Sequence, residues 1–303
     1  MLQALVFSFA MLAVNPGPSA AVTTPPAADI RNDVRHDVSN EQPTPNSNSA
    51  AGSSSGEDPA AEDELLEAAN KSRELAGVPP LRMDESLLDA ARAHARRMVE
   101  SERLEHQLSG EPSLLERIAM VSSPAGGLKL DRAGENIAYA DSGPKVNEAL
   151  MRSPPHRENL LDRGFNIVGI AAVWSKGRLY VVQDFAHEVP SYTAQQSGKL
   201  IGRVVGEMRQ QAGLPKLVQL TPPKLDEAAC SLARENPPNA HLFATAYDNR
   251  KIVTYTESRP EILPQAVLSM LRDPGVRQFA VGACYARNAA YPTGTYWVAI
   301  LLY

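Results

Sequence analysis

Cysteine is nearly absent from this sequence: Cys230 and Cys284 are the only two among 303 residues. That excludes a disulfide framework and any all-cysteine zinc site. One late bridge and two buried thiols both remain open, and two small buried thiols are the preferred reading. A basic excess is also missing. The formal net charge of −5 argues against nucleic acid as the main partner. Long apolar runs are missing too. The longest, LQALVFSFAMLAV at 2–14, falls short of the roughly 20 residues a membrane span needs. Small residues follow at PSAA, so 1–20 reads as a secretory signal peptide although no Lys or Arg precedes the apolar run. The rival reading is an uncleaved membrane anchor. No cysteine lies near the cleavage region to carry a lipid. No motif for local catalysis is present either: there is no GxSxG elbow and no HExxH zinc helix.

What is present is graded along the chain. Residues 21–61 are Ala, Pro, Ser, Asn and charge, too poor in large apolar groups to offset ordering entropy, and read as a disordered linker. Order is expected from about Glu64. ELLEAANKSRELAG carries apolar residues at 65, 66, 69 and 75 and stops at Gly77, a helix pattern. Asp84 caps a second helix with a stripe of Leu87, Leu88, Ala91, Ala95 and Met98. His94 lies near that stripe and reads as a packed core histidine; Arg92, Arg96 and Arg97 read as solvated charge. SLLERIAM and PKVNEALM are helical and GENIAYA is a strand. GFNIVGIAAVW and RLYVVQDFA form a hairpin across a Lys-Gly turn.

From about residue 198 the order repeats. RELAGVPPL (73–81) answers RQQAGLPKL (209–217), and LLDAARAHA (87–95) answers LDEAACSLA (225–233). LMRSPPHR (150–157) is set against MLRDPGVR (270–277), and FNIVGIAAVW (165–174) against FAVGACYARN (279–288). The expectation is two tandem copies of one unit, 62–188 and 198–303. In the second, Val276 takes the place of His156, Arg277 that of Arg157, and Tyr255 that of Glu135. Only His241 is left to answer His106.

NKSRELAGVPPLRMDESLLDAARAHARRM (70–98), His106, GENIA (134–138), SPPHRENLL (153–161) and FNIVGIA with VVQDFA (165–171, 181–186) occur in this order. In them the first unit resembles a CAP domain, the superfamily of cysteine-rich secretory proteins, venom antigens and plant pathogenesis-related proteins, and most of all its bacterial branch. The resemblance implies an α+β fold, an α-β-α sandwich with an antiparallel sheet between helices, here as two tandem CAP-like domains. It also implies a cleft holding His106, Glu135 and His156, lined by Asn136, Ser153 and Arg157. Ser153 stands where animal and plant members carry a second acid, and Leu150 where they carry Trp.

Two imidazoles and one carboxylate suit a zinc ion with a water in the fourth position. Their spacings, 29 and then 21 residues, match no local zinc motif, so only the fold could assemble them. The competing reading is a hydrogen-bonded network in which Glu135 accepts from a histidine. Asn136 and Asn159 read as turn chemistry, and Arg157 as a surface ion pair. The function expected is that of a secreted or periplasmic binding protein. It would hold a small ligand, lipid, peptide or divalent ion in the first unit, with a cell-envelope partner and no membrane span after signal removal. A metal-assisted hydrolase with Glu135 as base, and an architectural envelope protein without ligand, are the alternatives.

Overall fold

The computed structural model describes residues 56–122, 127–234 and 251–303. The expected signal at 1–20, most of the expected linker and His241 lie outside the described residues. Residues 56–61, assigned to the linker by composition, carry regular structure. Strand β1 (Gly56–Glu57) pairs with β4 (Ile167–Ser175), and helix α1 (Pro59–Leu75) starts at once behind Asp58. Asp58 accepts from Ala61 N at 3.1 Å and from Trp174 Nε1 at 2.9 Å, so it caps α1 and docks it on the sheet. Buried Glu62 then takes a two-pronged bond from Arg92 at 2.9 and 2.5 Å. Arg92 is therefore not solvated charge, because its guanidinium fixes the α1 entry.

The first sheet runs β1-β4-β5-β3, with β2 (Arg82–Met83) parallel to β4. Here β3 is Leu130–Ala140 and β5 is Arg178–Glu188. β4 and β5 form the expected hairpin through Lys176 and Gly177, and β3 pairs antiparallel with β5. On one face α1, α4 (Gly143–Arg152) and α5 (Pro154–Leu160) bury Leu65, Val146, Leu150 and Leu160 against Val168, Ile170, Val181 and Phe185. On the other, α2 (Glu85–Ser101) and α3 (Leu114–Val121) bury Leu87, Met98, Leu114 and Ile118. The fold is α+β. Helices cover both faces because the middle of β4 and the start of β5 are apolar on both sides.

The apolar count on α1 misleads at one position. Leu75 is 79% exposed, whereas Arg73 is fully buried. Its guanidinium donates to the carbonyls of Pro79, Leu160, Asp162 and Phe165 at 2.7–3.0 Å.

The second segment contains α6 (Ala194–Gln211), β6 (Val218–Leu220), α7 (Leu225–Arg234), β7 (Lys251–Glu257), α8 (Gln265–Leu271), β8 (Gln278–Asn288) and β9 (Tyr291–Leu302). Its sheet runs β6-β8-β9-β7, with β6 parallel to β8. α6 and α8 contribute to the core on one face and α7 to that on the other. The devices of the first sheet recur. Arg209 is fully buried and donates to the carbonyls of Pro215, Leu271 and Asp273.

That bracket corrects the sequence alignment. Asp162 accepts from Gly164 N and Asp273 from Gly275 N, each at 2.7 Å, so 271–276 answers 160–165. Val276 thus answers Phe165, and α8 answers α5. Val267 stands where the first segment has His156, and Leu268 where it has Arg157. In the cross-strand register, Glu135, Asp184 and Gly169 form one row, and Thr254, Ala299 and Gly282 form the matching row. The residue answering Glu135 is Thr254, not Tyr255.

Cys230 and Cys284 are bridged, with Cα atoms 5.0 Å apart, which overturns the reading of two free thiols. The bridge ties α7 to β8 across 54 residues. Replacing both cysteines by serine is expected to lower stability by roughly 3 kcal/mol. Urea unfolding of the oxidised chain against the double variant measures it, and coincident curves would show that the bridge contributes nothing.

Candidate functional site

Glu135 sits mid-strand on β3 with its side chain toward α2 and α3, since strand residues alternate faces and its neighbour Asn136 points toward α5. It is nearly fully buried and is paired on both oxygens. His106 Nδ1 lies 2.8 Å from Oε1, and Arg117 of α3 donates to Oε2. Arg117 also donates to the carbonyls of His106 at 3.1 Å and Pro112 at 3.4 Å, so one guanidinium holds the carboxylate and the loop bearing its histidine. α3 is set in place at its start, where Glu116 accepts from the Ser113 N–H and hydroxyl, both at 2.8 Å.

Beneath this pair lies a second one that sequence reasoning did not find. His94 is completely buried, with Nδ1 2.9 Å from Glu111 Oε1 and Nε2 3.9 Å from Glu135 Oε2. Glu111 also accepts from Leu108 N at 3.0 Å. The core-histidine reading is right about burial and wrong about surroundings, which are polar. Only the i, i+4 spacing of His94 from the core residues Ala90 and Met98 marks it in sequence, and nothing local marks Glu111 or Arg117 as partners.

Asp184, opposite Glu135 on β5, is fully buried. Burial, and then the charge of Glu135, push its carboxyl well above the ordinary range. Burial also works to raise Glu135. The His106 hydrogen bond and the charges of Arg117, His94 and His106 outweigh it and hold Glu135 below its usual value. The two carboxyls thus divide into one ionised group and one proton-holding group. An ionised Glu135 can only accept, so the His106 proton is assigned to Nδ1.

The signs give a pH prediction. Glu135 contributes stability present above its unfolded value of about 4.3 and lost as pH falls through its depressed folded value. Asp184 contributes stability present below about 3.9 and lost as pH rises toward its raised folded value. Asp184→Asn removes the second effect. Relative to wild type it should gain up to about 1.4 kcal/mol per pH unit from pH 4 upward, while Asp184 keeps its proton. Urea unfolding at pH 5, 6 and 7 reads this directly. A constant difference across that range contradicts it.

His156 is carried on α5, on the opposite side of β3. Its carbonyl accepts from Asn136 Nδ2 at 3.0 Å. Asn136 is fully buried rather than lining an opening, and it also donates to Gln183 Oε1 at 3.2 Å. Asn159 donates to Asn136 Oδ1 at 3.1 Å and Glu135 O at 3.2 Å. These asparagines staple α5 to β3, which corrects the turn reading of both. Ser153 marks the junction of α4 and α5, and Arg157 is exposed. Arg157, with Glu158, Leu161 and Asp162, lines a shallow depression of about 460 Å³.

Among the described residues no three His, Cys, Asp or Glu side chains are grouped so as to hold a metal ion. The chemistry agrees. Both Glu135 oxygens are occupied, and Arg117 already supplies the cation that a zinc ion would replace. The residues present do not fit a metal. A second depression, of about 380 Å³, adjoins the His106 loop and is lined by Arg97, Glu100, Ser101, Arg103, Leu108 and Ser109. No helix among the described residues is long and apolar enough to cross a membrane.

Residues 66–185 match the sequence model of the family described as the cysteine-rich secretory protein family, CAP, and this segment is a CAP domain of the bacterial branch. It is similar to the uncharacterized protein YkwD of Bacillus subtilis, 34% identical over 115 residues, which cover 38% of this chain and 43% of that protein. The chain thus spans less than half the length of the curated relative it matches. An extracellular protein containing an SCP domain from Bacillus anthracis is 24% identical over 43% of this chain and 41% of its own, with a TM-score of 0.37. An outer surface protein from Borrelia burgdorferi is 17% identical over 45% of this chain and all of its own, with a TM-score of 0.40.

Proposed function

We propose that this chain is an extracytoplasmic binding protein whose CAP domain takes a peptide beside His106. The observation that carries the reading is the state of His106 itself. Its imidazole is 30% exposed, while Nδ1 is fixed by a carboxylate whose charge Arg117 balances. Its Nε2 is a buried atom with no hydrogen-bond partner among the described residues, a polar group that a ligand seated against the ring would satisfy. The depression beginning two residues further on, at Leu108, offers charged groups of both signs and two hydroxyls. That lining suits a polar extended chain better than an acyl chain or a bare cation. The Cys230–Cys284 bridge fits an oxidising compartment, in keeping with the signal reading of 1–20.

The segment from Ala194 onward is, on this reading, a second and degenerate copy of the CAP-like unit. Support comes from the repeated strand order, the buried Arg209 and the aspartate–glycine bracket. Its Thr254 and Val267 stand in place of Glu135 and His156, so it serves as a scaffold rather than a second site. The hydrolase reading is not carried forward, since the residues do not fit the metal it needs.

Fluorescence polarisation of the full chain against a mixed library of labelled short peptides tests the proposal. Binding is expected, and His106→Ala and Arg103→Ala should each weaken it about tenfold, the loss of one charge-assisted hydrogen bond. Equal binding by wild type and both variants, or no binding at all, counts against it.

A further inference from the structure

The contact between the two segments falls on the helix that supplies Arg117. α3 has eight residues, far below the roughly 12–15 that sustain a helix alone, so its position depends on what holds its ends. Its start is held from within the CAP domain by Ser113 and Glu116. Its end is held from outside it: Arg287 of β8 donates from Nη1 to Ala119 O at 3.0 Å and to Ser122 O at 3.3 Å. A cation at the last turn meets both the orphan carbonyls and the negative end of the helix dipole. A second hold lies close by in the chain. Lys129, just ahead of β3, places Nζ 4.1 Å from the centre of the Tyr285 ring and 5.3 Å from that of Tyr296. The Tyr296 hydroxyl is itself fixed by Tyr192 N, which donates to it at 2.7 Å. Both flanks of the stretch leading from α3 into β3 are therefore gripped by β8 and β9.

We propose that Arg287 is a positioning residue for the His106–Glu135 pair, acting through α3 and Arg117, so that the second segment sets the state of the site in the first. Arg287 touches neither His106 nor Glu135. It fixes the carbonyl end of α3, two residues beyond Arg117, whose guanidinium must reach Glu135 and the His106 carbonyl together. If α3 shifts, Arg117 gives up one of them, and the His106 hydrogen bond to Glu135 changes with it. The inference deepens the binding reading by naming what controls that site. Its experiment reads the His106–Glu135 bond with no peptide present, so failure of peptide binding and failure of this coupling are separate results.

The full chain, labelled with ¹⁵N and carrying 5-fluorotryptophan at its two tryptophans, is the material for the test. Trp174 reports the first segment and Trp297 the second. The imidazole Nδ1–H resonance of His106 is identified by its absence in His106→Gln. In Arg287→Ala this resonance is expected to move or broaden. The amides of 118–121 should exchange about tenfold faster, the loss of one charged hydrogen bond. Arg259→Ala, which breaks only the local pair with Glu261, should leave both unchanged. Arg287→Lys keeps the charge without the planar fork and should fall between. An unmoved His106 resonance and unchanged exchange in Arg287→Ala, with both fluorine signals native, overturn the proposal. If Arg287→Ala loses the native Trp297 signal, Arg287→Lys decides by the same two readings.

Discussion

Arg73→Ala is expected to lose roughly 5 kcal/mol of stability, enough to unfold the CAP domain if it is of ordinary stability. The guanidinium has no access to solvent, and its nitrogens meet four carbonyls from two separate stretches, 79 and 160–165. Removing it leaves those acceptors buried, at about 1–3 kcal/mol for each that water cannot reach. The four share one donor group, so their losses do not add, and the expected sum lies below the simple total. Arg73→Lys should recover less than half, because an ammonium on a single stem cannot span the directions a planar fork spans. Arg209→Ala performs the same experiment on the second segment, with three carbonyls instead of four. Trp174 and Trp297 then tell which segment unfolds in each variant. A loss under about 1 kcal/mol for Arg73→Ala would mean that the loop carbonyls find water, and the bracket would not hold the fold.

The same arginine shows what could be read from sequence. The repeat of RELAG as RQQAG placed Arg73 against Arg209, and the structure gives both the same task. Apolar counting on α1 set Leu75 in one pattern with Leu65, Leu66 and Ala69 because it scores side chains, whereas the bracket depends on carbonyls, which every residue has. The strands and the hairpin were legible, since their alternation and the Lys-Gly turn act locally. The site was legible in part. His106 and Glu135 lie in contact, while the bond that ties His156 to β3 is made by its backbone carbonyl, to Asn136. Period-two alternation on β3 already separates 135 from 136, and the polar residues on both sides of that strand serve different helices. Arg117, Glu111 and Asp184 were invisible because their roles come from long-range contacts: a helix end, a loop and a neighbouring strand. Alignment of the second segment failed where MLRDPGVR was matched on its proline and arginine. The aspartate and glycine that bond to each other set 271–276 against 160–165 instead.

Gly169→Ala tests how closely α2 must approach the sheet for the site to exist. A methyl group at 169 would sit 2.1 Å from the Leu87 carbonyl carbon, 2.3 Å from Leu88 N and 2.4 Å from Leu87 O. All three are backbone atoms of the first turn of α2, so no rotamer change can make room. The helix itself must lift by more than about 1 Å to restore van der Waals contact. The cost expected is about 3–4 kcal/mol, the upper end for overpacking, because a whole helix must move. Function should go before the fold does. His94 lies two turns along α2, and its 2.9 Å bond to Glu111 and its 3.9 Å approach to Glu135 ride on that contact. The second segment supplies the control. A methyl at Gly282 would come within 2.3–2.6 Å of Leu225, yet the row there holds Thr254 and Ala299 and no acid. Gly282→Ala should therefore cost similar stability, read at Trp297, and, of the His94 and His106 imidazole resonances, leave that of His94 where it is. Gly169→Ala should displace both resonances at temperatures where Trp174 still reports a folded domain. Unchanged imidazole signals in Gly169→Ala would show that the buried histidine–carboxylate network does not depend on the α2 approach, and that its geometry is set by α3 and the loop at 106–111 alone.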